Sequence, residues 1–235
     1  MRVLVTGSSG RIGSHFVQAV DRSAFDIRRA DLVHAPGDYP ASFVTLDVTD
    51  ARSCRAACAG MDAVLHLAGD PSPTAPFRSS VLPVNIAGTY NMVEAALAEG
   101  VARFVFASSA QAVEGYPADH QVREGDAPWP ANDYGAGKAF GEALCSAAST
   151  RGEGTFVSVR IGNYQDEAPG DDAAWRDRTA WLSPADAVQL LAGALTAPIG
   201  GHTVAHGVSD NAVKRLSIDA TRRVLGYAPI DDAFR

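Results

Sequence analysis

A tyrosine and a lysine four residues apart, Tyr134 and Lys138, carry the first chemical signal in this sequence. Apolar residues follow them at helical spacing, so both side chains should lie on one face of a helix, one turn apart. Because an ammonium favours a nearby phenolate, we expect Lys138 to lower the pKa of Tyr134 from about 10 toward working pH. Tyr134 is then a candidate general base. The alternative is an exposed aromatic ring beside a solvated lysine, a common origin of this spacing.

Two hydroxyls, Ser108 and Ser109, follow the apolar segment 103–107. We predict a central strand for this segment. Ligands of open α/β sheets bind beyond the carboxyl ends of the strands. Ser109 is therefore placed to orient a substrate oxygen toward Tyr134, and Ser109, Tyr134 and Lys138 form a candidate catalytic set.

Three glycines near the start of the chain, Gly7, Gly10 and Gly13, follow an apolar strand and precede a helical pattern. Gly7 can adopt the angles of a tight turn, Gly10 lets the main chain approach a pyrophosphate, and Gly13 lets the helix pack close to the sheet. The free amides at the start of that helix would face the phosphates. A plain glycine-rich loop would show the same triplet, but its context favours a dinucleotide-binding turn.

An acidic residue, Asp31, follows Gly13 by 18 positions. A carboxylate at this place can accept hydrogen bonds from both hydroxyls of an adenosine ribose and would repel a 2′-phosphate. NAD is therefore favoured over NADP. Arg28 and Arg29 argue the other way, and a solvated loop carboxylate is the alternative for Asp31.

Strand and helix patterns alternate along the chain, which predicts a mostly parallel sheet with helices on both faces. The fold class is α/β, a Rossmann-type doubly wound sheet with a small C-terminal substrate-binding portion. We predict one domain over residues 1–235, in which 162–182 and 197–235 form a small substrate cap. The predicted strands are 2–6, 26–30, 43–46, 63–67, 103–107 and 155–160.

Other segments are predicted to frame the site or to end the domain. Residues 71–83 are rich in proline and are expected to form one wall of a substrate site, with a helix beginning at Asn85. Residues 163–179 lack periodicity and resemble a substrate loop. Ser183 and Pro184 have the residue types of a helix start. The range 215–227 predicts a last helix that ends at its glycine.

Composition excludes several function classes. The chain has 235 residues, a net charge of −7 and a pI near 5.3, which disfavour nucleic acid as a partner. No apolar run approaches the roughly 20 residues of a membrane span. Three cysteines behind a start that leads directly into a strand favour the cytoplasm. Cys54 and Cys58 lack a histidine pair at ligand spacing, and glycines flank His202 and His206, so we predict no metal site.

These motifs resemble the short-chain dehydrogenase/reductase superfamily, and its extended, NAD-dependent epimerase/dehydratase-like branch in particular. Within that branch the chain is most similar to the uronate dehydrogenases, which oxidise the anomeric carbon of a hexuronic acid to a lactone with NAD. The segments that carry the resemblance are T-G-S-S-G-R-I-G, H-L-A-G, N-I-A-G-T-Y-N, F-A-S-S, Y-G-A-G-K-A-F-G-E, V-R-I-G and W-R before W-L-S.

The resemblance implies roles for individual residues. The catalytic set would be Ser109, Tyr134 and Lys138, and Arg176 would hold a substrate carboxylate through two parallel hydrogen bonds. With the glycine turn, it predicts a cofactor site formed by Gly7, Ser9, Gly10, Arg11, Ile12, Gly13, Asp31, Asp47, Val48, Leu67, Ala68, Gly69, Asn85, Tyr134, Lys138 and Ile161. The predicted substrate contacts are Ser72, Ser109, Ala110, Gln111, Tyr134, Asn163 and Arg176. It also implies a homodimer or a higher homo-oligomer.

Departures from the family pattern leave the substrate open. The uronate dehydrogenases have Asn-His after the catalytic serine, where this chain has Ala110 and Gln111, and a serine where it has Asn163. Arg176 could instead pair with Asp172 or Asp177 at the surface. A sugar or sugar acid is the expected substrate. An epimerase or dehydratase that retains NAD, a reductase of a small ketone, and a non-enzymatic NAD-binding protein are the alternatives.

Overall fold

The computed structural model describes residues 1–34 and 41–235. Its strands are β1 (Arg2–Thr6), β2 (Asp26–Asp31), β3 (Ser42–Thr45), β4 (Ala63–His66), β5 (Arg103–Ser109), β6 (Thr155–Ile161), β7 (Asn163–Tyr164), β8 (Trp181–Leu182) and β9 (His202–Gly207). Its α-helices are α1 (Arg11–Ala19), α2 (Ala51–Cys58), α3 (Thr89–Ala98), α4 (Asp133–Ser149), α5 (Trp175–Thr179), α6 (Pro184–Thr196) and α7 (Asp219–Leu225).

Seven of these strands form one parallel sheet in the order β3-β2-β1-β4-β5-β6-β9. The chain runs outward from β1 to β3 and then returns to the other side through β4, so the order reverses between β1 and β4. Open α/β sheets bind ligands at such a reversal. The predicted Rossmann-type class is confirmed, and all six predicted strands are present with ends shifted by no more than two residues.

Both faces of the sheet are buried, as a parallel sheet requires. Along β5, Phe104 and Phe106 belong to a core shared with α2, α3 and α4. Val105 and Ala107 belong to a second core, shared with α1 and α6. Because successive side chains of β5 enter these two cores in turn, the strand is held in the middle of the domain. The position of Ser109 at its end is fixed as a result.

The structure differs from the expected C-terminal cap in one part. Residues His202–Gly207 form β9, which pairs with β6 along its length at the edge of the main sheet. Sequence periodicity missed β9 because glycines flank it and two histidines interrupt its apolar pattern. His206 is nevertheless fully buried, with its Nδ1 2.8 Å from the Ser217 carbonyl oxygen.

Three other predicted segments have different boundaries. A π-helical segment, Phe77–Gly88, precedes α3, so the helix predicted to begin at Asn85 begins eight residues earlier and contains Pro83. The predicted substrate loop 163–179 contains β7 and α5. The last helix is shorter than predicted, since α7 starts at Asp219, although it does end at Gly226, whose φ of +67° terminates the helix.

The predicted start of α6 is confirmed: the Ser183 hydroxyl accepts from the Asp186 amide, and Pro184 follows.

Helix α4 lies very close to β5. A Cβ atom at Gly141 would stand 2.3 Å from Cζ of the Phe106 ring, so only glycine fits there. The next residue, Glu142, forms a buried two-point ion pair with Arg160 of β6 at 2.8 and 2.9 Å. The Ser108 hydroxyl also donates to Glu142, at 2.5 Å. Because a buried carboxylate needs such partners, this network fixes α4 against both strands.

Within the described ranges, 1–34 and 41–235, each helix is too short or too polar to cross a lipid bilayer.

Replacing Gly141 by Ala should lower the free energy of unfolding by about 1–3 kcal/mol, because the added methyl group must displace the Phe106 ring or the helix. Gly125→Ala is the matched control, since a Cβ there has no neighbour within 4 Å. Denaturant unfolding of both variants measures the difference. Equal stabilities of the two variants would contradict the close packing of α4 on β5.

Candidate active site

A cleft of about 510 Å³ opens at the carboxyl edge of the sheet. It continues into a second groove of about 700 Å³, and the two share Gly7, Gly10 and Leu67 in their walls. Every predicted cofactor contact except Asn85 lines one of the two, and every predicted substrate contact except Ser72 lines the first. The structure therefore gathers almost all of the predicted site residues around one continuous surface.

The glycine turn has the geometry expected of it. Gly7 has a φ of +67°, and a Cβ at Gly13 would stand 2.2 Å from the Gly7 carbonyl oxygen. Gly10 precedes α1 and has no side chain to cap it, so the first amides of the helix lack an internal partner. Amides at a helix start, together with the helix dipole, suit a phosphate group.

Asp31 lies beside this turn at the end of β2. Its carboxylate accepts from the amides of Ser9 at 2.9 Å and Leu32 at 2.8 Å, which fix its orientation in the second groove. The Arg28 guanidinium turns away and donates to carbonyl oxygens at the end of α2. The acidic side chain, and not a cation, therefore faces the place where an adenosine ribose would lie. The glycine turn and Asp31 fit NAD.

A histidine behind the cleft supports the segment 67–69. His66 is completely buried, with its two ring nitrogens facing the hydroxyls of Thr6 and Thr89. Burial lowers the pKa of His66 to about 3, so the ring is neutral. The same Thr6 hydroxyl accepts from the Ala68 amide at 3.2 Å. These bonds hold the backbone of the H-L-A-G segment where it forms the wall between the two grooves.

Ser109, Tyr134 and Lys138 meet in the first cleft. The Ser109 hydroxyl and the Tyr134 phenol line the cleft together, and Ser109 acts to lower the pKa of Tyr134. The Lys138 ammonium is buried, donates to the Ala107 carbonyl at 2.7 Å and lies 5.6 Å from the centre of the Tyr134 ring. The predicted juxtaposition of a phenol, a hydroxyl and an ammonium is therefore present.

The expected lowering of the Tyr134 pKa below its ordinary value is wrong in this structure. Burial raises the pKa of Tyr134, the Ser109 side chain opposes that rise, and the Asp70 carboxylate adds to it. Burial also lowers the pKa of Lys138 to about 8. The phenol is thus harder to ionise than a free tyrosine, because desolvation is the largest of the effects on its pKa.

The start of α4 is tied to the segment after Ser109. The Asn132 side chain accepts from the Gly135 amide and donates to the Gln111 side-chain oxygen, both at 2.7 Å. A Cβ at Gly135 would stand 2.2 Å from the Gln111 carbonyl oxygen, so this contact requires glycine. Gln111 therefore helps to position Tyr134 in addition to lining the cleft.

Two predicted contacts point elsewhere. Asn85 is buried and exchanges hydrogen bonds of 2.8 and 3.0 Å with the backbone of Asp70, so it braces the cleft wall without facing the grooves. The Ser72 amide donates to Asp70 and the Ser72 hydroxyl bonds Thr74, which uses both groups inside a turn. Asp70 also lines both grooves, and sequence reasoning missed it although it directly follows the H-L-A-G motif.

Arg176 lies in the cleft, but its partner is none of those expected. Its Nε is 2.7 Å from the Glu114 carboxylate, and both residues line the same cleft as Ser109. Neither Asp172 nor Asp177 is its ion-pair partner. Glu114 follows a short 3₁₀ helix, Ala110–Val113, and no motif marks it, so no sequence pattern indicated this pair.

Asn163 also lines the cleft. Its side-chain oxygen accepts from Gln165 at 3.1 Å, while its Nδ2 is buried and has no hydrogen-bond partner among the described residues. A buried donor without a partner is costly. Asn163 is therefore suited to donate to an oxygen of a bound molecule.

Comparison with known proteins places these features in a family. The model of the NAD dependent epimerase/dehydratase family matches residues 3–174. An NAD-dependent glucose-6-phosphate dehydrogenase from Haloferax volcanii is 38% identical, with 98% of this chain and 94% of the relative covered. An L-arabinose 1-dehydrogenase (NAD(P)(+)) from the same organism is 34% identical, with 99% and 97% covered.

Solved structures agree. A uronate dehydrogenase from Agrobacterium tumefaciens, in a tyrosine-to-alanine mutant complexed with NAD, superimposes with a TM-score of 0.87. It is 32% identical, with 99% of this chain and 86% of that chain covered. Both the family match and this likeness confirm the resemblance read from the motifs. The chain belongs to the NAD-dependent epimerase/dehydratase family, in the extended branch of the short-chain dehydrogenases/reductases.

Proposed function

We propose that this chain is an NAD-dependent dehydrogenase that oxidises a free sugar at its anomeric carbon and yields a lactone. The observation that carries the proposal is the meeting of Ser109, Tyr134 and Lys138 in a cleft continuous with the glycine turn and Asp31. The relatives named above support it, since their names describe dehydrogenases of glucose 6-phosphate, L-arabinose and uronates. A hexuronic acid is one candidate substrate within this class.

The residues that would hold NAD follow the two grooves. The amides at the start of α1 would bind the pyrophosphate, Asp31 the adenosine ribose, and Lys138 the ribose beside the nicotinamide. NAD supplies the hydride acceptor when bound.

The chain's own groups handle the proton. The Ser109 hydroxyl orients the anomeric hydroxyl group of the sugar toward the Tyr134 phenolate, which accepts its proton as the carbon is oxidised. Burial excludes water from Tyr134, which is 8% exposed. The buried Lys138 ammonium offsets negative charge on the phenolate, and the free Asn163 Nδ2 is placed to hold another sugar oxygen.

Accumulation of free NADH separates this proposal from its main alternative. A sugar epimerase or dehydratase of the same family would retain the reduced cofactor, so NADH would not build up beyond the enzyme concentration. Steady NADH production from sugars, with none from small alcohols, would also exclude the reductase of a small ketone. A homodimer and a cytoplasmic location stay predictions.

Replacing Tyr134 by Phe should reduce kcat by at least about 100-fold, since general base catalysis is lost. NAD affinity should stay nearly unchanged because the ring still fills its place. Tyr90→Phe is the matched control, as Tyr90 is half-exposed on α3 and lies outside the cleft. Initial rates of NADH formation and titration with NAD measure the two effects. Undiminished turnover in the Tyr134→Phe variant would contradict the assignment of Tyr134 as the general base.

Replacing Asp70 by Asn should move the acidic limb of the kcat/KM profile to lower pH. The Asp70 carboxylate raises the pKa of Tyr134, and activity requires the phenolate, so loss of this charge lets Tyr134 ionise at lower pH. Asp26→Asn, an exposed site at the opposite edge of the sheet, should leave the profile in place. If the acidic limb of the Asp70→Asn profile stays in place or shifts to higher pH, the assignment of Tyr134 as the ionising base is contradicted.

A further inference from the structure

One ion pair inside the cleft bears on which sugar fits. Arg176 Nε and Glu114 Oε1 are 2.7 Å apart, with the arginine side chain 50% and the glutamate side chain 22% exposed. Glu114 follows the 3₁₀ helix that begins directly after Ser109, while Arg176 lies on α5. Both residues line the same cleft as Ser109 and Tyr134, so a sugar bound there would lie near the pair.

A bound carboxylate would be disfavoured beside this pair. Glu114 occupies the Nε edge of the guanidinium, so a substrate carboxylate must displace it or lie next to a like charge. Asp70 and Asp177 line the same cleft and add to the negative charge. A neutral hydroxyl group meets no such opposition, since it can donate to Glu114 and accept from the remaining Arg176 donors.

The other cations of the cleft have partners of their own. Arg215 donates to the carbonyl oxygens of Tyr116, Pro117 and His120, each at 2.7 Å. Lys138 donates to Ala107, and Arg11 lies against Tyr164 at the glycine turn. Arg176 is thus the cation best placed to select an acidic sugar, and Glu114 opposes that selection.

We propose that Glu114 is a specificity-determining residue that engages Arg176 and directs this chain to neutral aldoses over hexuronic acids. The inference rests on the proposed function, because it concerns the substrate of the same site. It reverses the expectation that Arg176 grips a substrate carboxylate.

The test compares sugars that differ only at carbon 6. D-galactose and D-galacturonate form one pair, and D-glucose and D-glucuronate form another. NADH formation gives kcat/KM for each, and the acid-to-neutral ratio within a pair is the quantity compared. We expect a ratio below one for the unmodified chain. Glu114→Gln should raise the ratio about tenfold, mainly through a lower KM for the acid, with Glu114→Ala as a second variant.

The chain offers a closely matched control. Glu99 pairs with Arg55 Nε at 2.7 Å and its side chain is 23% exposed, but neither residue lines the cleft. Glu99→Gln removes the same kind of ion pair and should leave the ratio unchanged. If the effect of Glu114→Gln came only from a lost charge or lower stability, Glu99→Gln would change the acid-to-neutral ratio by a similar amount.

A binding measurement separates failure of this inference from failure of the proposed function. Calorimetric titration of Tyr134→Phe and of Tyr134→Phe combined with Glu114→Gln, each saturated with NAD, gives dissociation constants for galactose and galacturonate without turnover. An absence of NADH from every sugar overturns the proposed function. A wild-type preference for the acid, or a ratio that Glu114→Gln leaves unchanged in both rates and binding, overturns the role of Glu114. Failure of every sugar to bind overturns both.

Discussion

The site depends on one buried hydrogen bond, from the Lys138 ammonium to the Ala107 carbonyl at 2.7 Å. A buried cation without an acceptor is strongly destabilising, so this bond holds α4 over the end of β5. The contact of Gly141 with Phe106 sets how close the helix comes, and the pair of Glu142 with Arg160 anchors its next turn. The same helix carries Tyr134 and the same strand ends in Ser109, so their meeting is a consequence of helix packing.

Burial has an electrostatic cost in this arrangement. It raises the pKa of Tyr134 and lowers that of Lys138 to about 8, so both groups are pushed toward their neutral forms. The Ser109 side chain lowers the pKa of Tyr134, while Asp70 raises it as burial does. The balance of these neighbours, and not the lysine alone, sets the pH at which the tyrosine can accept a proton. Electrostatic tuning by burial and neighbours is typical of general bases.

The sequence predicted what local patterns encode. The glycine turn, Asp31, Tyr134 and Lys138 each follow from spacing along one strand or helix, and the structure brings them together. Strand β9 was missed because its glycines and histidines hide an apolar pattern that only burial against β6 reveals. Ser72 and Asn85 were assigned to ligands, but the Ser72 hydroxyl bonds the Thr74 hydroxyl and the Asn85 side chain bonds the backbone of Asp70. The pair of Glu114 with Arg176 joins residues far apart in the chain, and no local pattern encodes such a contact.

Transfer of the hydrogen on carbon 1 of the sugar tests the central claim most directly, because it follows the reacting atom itself. An aldose carrying deuterium at carbon 1 would be incubated with NAD and the chain, and both products examined by proton NMR. The account predicts one deuterium at carbon 4 of the nicotinamide in free NADH, together with a lactone that has lost the label. Deuterium retained in the sugar product, with NAD unchanged in solution, would contradict oxidation at this carbon.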